Sequence, residues 1–191
     1  MIMKKSIFTR YISTFLLIIF VSFFVLTLLI SSMTIRSENA QKQAVAENTA
    51  AYITEYLVSE FASSIIPTDF ERFISLKIND ISNMIDILSK NAEKMTIMIT
   101  NPQGKILICT DALYTGMIDD AKVLSALTAE SGRKLYTDMN GMLDRKYGVL
   151  ITPFQYDYVG VYAGALIVCY SAGTPNDLAI GTVRTIILAS L

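Results

Sequence analysis

The sequence of 191 residues contains no histidine. A histidine-based catalytic triad, a histidine–carboxylate metal site and a phosphate-accepting histidine are therefore excluded within these residues. Glycine is scarce, with nine residues, and none of them forms a Walker-type or dinucleotide-binding motif. The two cysteines, Cys109 and Cys169, lack a histidine base that would activate a thiol nucleophile. We expect no catalytic residue, metal site or cofactor in this chain.

Charge is also sparse, with 16 basic and 17 acidic residues and a net charge of −1. No basic cluster follows the N-terminus, which argues against a nucleic-acid partner. Asp119 and Asp120 form a carboxylate pair, but they stand at the start of a predicted helix. Such a pair is more typical of a favourable charge at a helix N-terminus than of an acid/base couple.

No charged residue occurs from Tyr11 to Met33, in a chain with a mean hydropathy of +0.46. About 20 apolar residues cross a bilayer as a helix, so residues 11–33 are predicted to be a transmembrane helix. A cleaved signal peptide is the alternative, but its apolar region is usually only about 7–15 residues and ends in small residues. Because Lys4, Lys5 and Arg10 precede the span, we expect residues 1–10 to lie in the cytoplasm and residues 34–177 to lie outside the cell membrane.

A second apolar stretch covers residues 178–191 and is interrupted only by Arg184. We expect it to be the truncated start of a second transmembrane helix, because Ile186 to Leu191 has no polar face to show to water. A terminal amphipathic helix is the alternative. Residues 34–177, between the two apolar stretches, are enough for one extracytoplasmic domain with its own core.

Two helices are predicted at the start of this domain. Residues 37–66 contain no glycine or proline, and the four-residue spacing of Ile53, Leu57 and Phe61 predicts a helix packed on the core. Its first half is polar and rich in alanine, and we expect it to pair with a second copy in a homodimer. The second helix follows Pro67 and extends to about residue 92. Its apolar stripe predicts a face that covers a sheet; the stripe contains Ile74, Ile78, Ile81, Ile85 and Leu88.

Five strands are predicted after these helices, which makes the domain α+β with an antiparallel sheet. The first hairpin has its turn at Asn101–Gly104, and the second has its turn at Asn140-Gly141, a strong signal for a two-residue hairpin loop. A short helix is expected at 120–128. The strands are predicted at 95–100, 105–110, 133–139, 142–151 and 159–170, with the turn into the last strand at 156–158.

Seven of the ten tyrosines lie from Tyr114 onward. A tyrosine has an apolar ring and a hydroxyl group, which suits the wall of a ligand pocket. The alternative is that strands favour aromatic residues and that basic residues on hairpins are solvated. We expect a small-molecule ligand to contact the last three strands and the loop at 111–116. Basic residues at 133, 134, 145 and 146 are compatible with a carboxylate ligand. The candidate ligand-binding residues are Tyr114, Arg133, Tyr136, Tyr147 and Tyr162.

Residues 97–107, which follow the span and the long helix, resemble the first hairpin of PAS-like extracytoplasmic sensors. These are the PDC or single-Cache domains of bacterial two-component sensor histidine kinases. Residues 149–154 and 159–168 resemble the last two strands of such a domain. The resemblance implies a sensory input region that signals to a cytoplasmic kinase core absent from this chain, and through that core to a response regulator. The alternatives are the input region of a chemoreceptor or a cyclic-dinucleotide enzyme, and a non-signalling anchored envelope protein.

The same resemblance implies the strand order second, first, fifth, fourth, third. Cys109 on the second strand and Cys169 on the fifth would then lie on either side of the first. Neighbouring strands are about 4.8 Å apart, so two strands that are not neighbours are too distant for a disulfide. We therefore predict two free thiols.

Overall fold

A computed structural model describes residues 7–63, 69–91, 95–156 and 161–172. Within these ranges the fold is α+β, with four helices and a five-stranded antiparallel sheet. The chain divides into two compact units, and Ala40–Ala172 is the unit that contains the sheet. The predicted second span at 178–191 lies outside the described residues, as does most of the predicted turn at 156–158.

The first helix, α1, runs from Ile7 to Ala62 as one continuous helix of 56 residues. The sequence predicted two helices here, at 11–33 and 37–66. They are one helix because no glycine or proline occurs before Pro67 to interrupt the backbone hydrogen bonds. Within α1 lies a segment long and apolar enough to cross a membrane, and its side chains are exposed.

The predicted second helix is two helices, α2 (Phe70–Leu76) and α3 (Ile78–Asn91). Asp69 caps α2, since its side chain accepts a hydrogen bond from the backbone N–H of Arg72 at 3.0 Å. Lys77 separates the two helices, and Ile78, the first residue of α3, is exposed. The other members of the predicted stripe face the sheet: Ile74, Ile81 and Ile85 are buried and Leu88 is half-buried.

The sheet contains β1 (Thr96–Thr100), β2 (Ile106–Cys109), β3 (Arg133–Thr137), β4 (Tyr147–Tyr156) and β5 (Val161–Tyr170). A short helix, α4 (Ala121–Leu127), lies between β2 and β3 in the chain. The strand order is β2-β1-β5-β4-β3, and every neighbouring pair is antiparallel. The predicted strand order is confirmed.

Side chains alternate along a strand, so the sheet has two different faces. The helix face carries Ile97, Ile99, Leu166 and Val168, which pack with the buried residues of α1, α2 and α3. The opposite face, called the α4 face below, carries Met98, Ile151, Ile167 and Cys169. These pack against Val123 and Leu127 of α4. Each fully buried Val, Leu or Ile side chain stabilises the fold by about 1.5–3 kcal/mol, and therefore both layers contribute to stability.

The two cysteines lie on the strands that flank β1. Cys109 is paired with Met98 of β1, and Cys169 is paired with Thr96 of β1. Both thiols are free, which confirms the prediction.

The second hairpin differs from its prediction. Asn140 and Gly141 have φ of 57° and 82°, and Met142 N–H donates to Met139 O at 3.2 Å, so the two-residue turn does form. However, the strands stop at Thr137 and resume at Tyr147, and residues 138–146 are a loop. The reason is that Met139 and Leu143 bury their side chains in the core on the α4 face instead of extending the two strands.

The fourth strand therefore runs from Tyr147 to Tyr156 rather than from 142 to 151. Pro153 is tolerated inside it because β3 pairs only as far as Ile151. Beyond that point β4 has one neighbour, β5, and a proline that lacks an N–H group costs no hydrogen bond on the free side.

Candidate functional site

The candidate site lies on the α4 face, at the end of the sheet where β2 and β5 finish and β4 begins. Tyr147 is the first residue of β4, and Tyr114 belongs to the loop after β2. Both side chains are half-buried and pack against the core on this face. We call Tyr114, Tyr147 and the adjoining Arg145 the tyrosine cluster.

The guanidinium group of Arg145 lies over one of these rings. Its guanidinium Cζ lies 5.2 Å from the centroid of the Tyr147 ring, and its Nη2 donates a hydrogen bond to Ser171 Oγ at 3.2 Å. A guanidinium over a tyrosine ring is a favourable cation–π arrangement, worth about 0.5–1 kcal/mol when exposed. The contact therefore joins the loop before β4 to the end of β5.

The loop after β2 positions Tyr114 through Asp111. The Asp111 carboxylate accepts from Leu113 N–H at 3.0 Å, and the Asp111 carbonyl accepts from Tyr114 N–H at 3.1 Å. Burial raises the pKa of the Tyr114 phenol, and the carboxylates of Asp111 and Asp144 raise it further. Tyr114 is therefore a neutral hydrogen-bonding group at neutral pH, and the charges that act on it are negative.

Cys109 lies at the base of this loop. Its Sγ accepts a hydrogen bond from Asp111 N–H at 3.4 Å. Burial raises the pKa of the Cys109 thiol to about 11, and burial also raises the pKa of Cys169. Both cysteines are therefore thiols at neutral pH, whereas nucleophilic attack requires a thiolate.

The tyrosine cluster can bind but is poorly suited to covalent chemistry. It offers two phenol groups and one guanidinium, with two carboxylates nearby, beside the apolar core on the α4 face. Such groups orient a small polar ligand. Within the described part of the chain, no group of three or more cysteine, aspartate or glutamate side chains could hold a metal ion.

The five candidate residues predicted from the sequence do not form one group. Tyr114 and Tyr147 are together on the α4 face, as described. Tyr136 lies directly opposite Gly148 on β4, which places its half-exposed side chain on the helix face. Arg133 is exposed four residues before the end of β3, about 13 Å from that end at roughly 3.3 Å per residue. Tyr162 is half-buried at the far end of β5.

One member of the tyrosine cluster, Arg145, and three of its neighbours were not among those candidates. The three neighbours are Asp111, Asp144 and Ser171. The position of Arg145 two residues before a strand tyrosine is a weak signal, because the stacking depends on how the loop at 138–146 folds. Asp111 lies in the loop that was expected to contact a ligand. Nothing in the sequence singles out Ser171, which is adjacent only through the register of β4 and β5.

No known protein family and no curated protein matches this chain.

Proposed function

We propose that this chain is the extracytoplasmic sensing region of a membrane receptor, of the PAS-like PDC or single-Cache type found in bacterial sensor histidine kinases. The observation that carries the proposal is the architecture of Ala40–Ala172. A sheet with the order β2-β1-β5-β4-β3 has N-terminal helices on one face and a short helix with long loops on the other. The same long helix, α1, also contains an apolar segment that is sufficient to cross a membrane.

A ligand of this sensor would bind at the tyrosine cluster. Any ligand that binds two conformations of the domain with different affinity shifts the balance between them. The residues of α1 that pack on the helix face, such as Ile53 and Leu57, belong to the helix that contains the apolar segment. A change in how the sheet contacts α1 therefore acts on a membrane helix, and through it on a cytoplasmic kinase core and its response regulator.

A homodimer is part of this proposal. The side of α1 that faces away from the sheet exposes Val45, Tyr52 and Val58, with Ala44 and Ala51 beside them. These small and apolar side chains recur six or seven residues apart, close to the seven-residue repeat of two parallel helices that pair along one seam. Two copies anchored in the same membrane would bring these strips together.

The orientation is tested with two reporter fusions placed after Ala172 of the membrane-embedded chain. Because Lys4, Lys5 and Arg10 precede the span, we expect alkaline phosphatase to be active at this position and green fluorescent protein to be dark. A dark phosphatase and a bright fluorescent protein would place the domain in the cytoplasm and contradict the proposal.

Signalling is tested by joining residues 1–191 to the cytoplasmic core of a characterised sensor kinase and measuring autophosphorylation in membranes. We expect Tyr147→Leu to change kinase output by about fivefold or more, since coupling free energies between sites are typically 1–3 kcal/mol. Tyr162→Leu, a tyrosine of β5 distant from the cluster, is the matched control and should change output little. Equal output from all three proteins would favour a non-signalling membrane protein.

A further inference from the structure

Tyr170 and Ser171 are consecutive residues at the end of β5, and their side chains serve opposite faces of the sheet. Tyr170 is 8% exposed and belongs to the core on the helix face. Ser171 Oγ accepts the hydrogen bond from Arg145, which lies over the Tyr147 ring of the tyrosine cluster. The backbone between these two residues is therefore shared by the tyrosine cluster and by the helix face.

The Tyr170 ring extends across β4 on the helix face. Tyr170 is paired with Gly148, and a Cβ atom at position 148 would lie 2.4 Å from Cζ of that ring and 2.8 Å from its hydroxyl oxygen. The ring therefore occupies the space that any other residue at 148 would fill with its own side chain. On the other side of Gly148 stands Tyr136 of β3, with Lys134 two residues earlier on the same face.

Lys134 joins β3 to α1. Its Nζ lies 2.5 Å from Oε1 of Glu47, and the same oxygen of Glu47 accepts a hydrogen bond from Gln43 at 2.8 Å. Two hydrogen bonds lower the pKa of Glu47, the larger effect coming from Lys134 and the smaller from Gln43. Burial raises the pKa of Tyr170, Lys134 opposes that rise and Glu47 adds to it. The phenol is thus within electrostatic range of both members of the ion pair.

We propose that Tyr170 and Ser171 couple the tyrosine cluster on the α4 face to the Glu47–Lys134 ion pair that holds α1 on the helix face. When Arg145 is displaced, Ser171 loses its partner and the end of β5 shifts. The Tyr170 ring then moves over Gly148 and loosens the contact between β3 and α1. The use of this route in signalling rests on the proposed function, but the coupling itself is a property of the domain and needs no ligand.

The coupling is tested with the full chain in lipid nanodiscs, without any added ligand. Arg145 and Lys146 are neighbouring exposed residues. Arg145→Gln removes one positive charge and the contact to Ser171. Lys146→Gln removes one positive charge only and is the matched control. Two quantities are measured by NMR. The first is the pH midpoint of the Glu47 carboxyl titration, followed by the chemical shift of the carboxyl carbon. The second is the set of amide hydrogen-exchange rates of residues 43–50. We expect Arg145→Gln to move the Glu47 midpoint upward and to speed exchange several-fold, and we expect Lys146→Gln to do neither.

Two further variants complete the test. Ser171→Ala removes the hydrogen-bond acceptor and should reproduce the effect of Arg145→Gln. In a Tyr170→Leu background, Arg145→Gln should no longer move the Glu47 midpoint, because the ring that covers Gly148 is gone. Equal shifts from Arg145→Gln and Lys146→Gln, or a shift that persists in Tyr170→Leu, would overturn the proposal. Either result would leave the reporter-fusion and chimera tests of the proposed function unaffected.

Discussion

At the scale of single residues, Gly164 shows how closely the helix face is packed. A Cβ atom at this position would lie 2.5 Å from the Thr100 carbonyl oxygen, 2.8 Å from a ring carbon of Phe70 and 3.0 Å from one of Phe154. The rings of Phe70 and Phe154 are themselves in contact, with centroids 5.0 Å apart. Only a glycine fits between β1 and these two rings.

We expect Gly164→Ala to destabilise the domain by about 3 kcal/mol, the upper part of the usual range for overpacked cores, because a backbone carbonyl cannot rotate away. Chemical denaturation in detergent, followed by tyrosine fluorescence, measures the change. Gly132→Ala is the control: its nearest contact, the Ile151 carbonyl oxygen, would be at 3.2 Å. The control should cost clearly less, and equal losses from both variants would contradict this account of Gly164.

Sequence reasoning found the residue types of the candidate site but not their arrangement. Tyr114 and Tyr147 were both named in advance, and the structure brings them together. Tyr136 was named as well, but strand parity separates it from them. Thr137, its neighbour, is the residue that pairs with Tyr147. A shift of one residue changes the face on which a side chain lies, and the sequence does not define that register when a nine-residue loop separates the strands.

At the scale of elements, the start of α4 agrees with its prediction. The Asp119-Asp120 pair was interpreted as a feature of a helix N-terminus. Asp120 is the N-cap, and its Oδ1 accepts from the backbone N–H groups of Lys122 at 2.9 Å and Val123 at 3.3 Å. Its Oδ2 accepts from Thr137 Oγ1 at 2.8 Å, which joins α4 to the end of β3. Partial burial opposes ionisation of Asp120, but these hydrogen bonds outweigh it and lower its pKa.

Asp120→Ala should therefore destabilise the domain by about 1–2 kcal/mol, the usual cost of losing an N-cap aspartate, with the larger value expected because Thr137 also loses its partner. Asp119→Ala removes the adjacent exposed carboxylate and serves as the matched control. Thermal unfolding followed by circular dichroism compares the two variants. If Asp119→Ala lowered the melting temperature as much as Asp120→Ala, net charge rather than capping would be responsible.

The loop at 138–146 marks the limit of prediction for elements. Asn140 and Gly141 adopt the expected turn, yet the ladder does not extend to it. A local motif specifies backbone angles, whereas the length of the strands depends on whether Met139 and Leu143 gain more by burial than by pairing. The buried side chains of Met139 and Leu143 share a core with Met98 of β1 and Ile167 of β5, which are distant in sequence, so no local pattern predicts the outcome.

At the scale of the whole molecule, the order of elements was predictable because each is marked by a strong local signal. The absence of glycine and proline before residue 67 predicts helix, and turn residues separate the strands. The confirmed strand order came from the resemblance to PAS-like sensors. What the sequence could not provide is the set of contacts that hold the helices on the sheet. Two of these contacts are ion pairs of glutamates, Glu47 with Lys134 and Glu71 with Lys105.

These ion pairs predict how the stability of the domain depends on acid. The hydrogen bonds from Lys134 and Gln43 lower the pKa of Glu47, and those from Lys105 and Asn101 lower the pKa of Glu71. A carboxyl group whose pKa is lower in the folded state stabilises that state fully above its unfolded pKa, about 4.3 for glutamate. The contribution is lost as the pH falls through the folded value.

We therefore expect the denaturant concentration at the unfolding midpoint of the wild-type chain to fall as the pH drops below about 4.3. The double variant Glu47→Gln/Glu71→Gln should be less stable at neutral pH and should show a shallower fall, because both proton-linked contributions are absent. Glu130→Gln removes an exposed carboxylate away from both ion pairs and should keep the wild-type dependence on pH. An unchanged slope in the double variant would mean that other carboxylates control acid unfolding and that these two ion pairs do not hold the helices on the sheet.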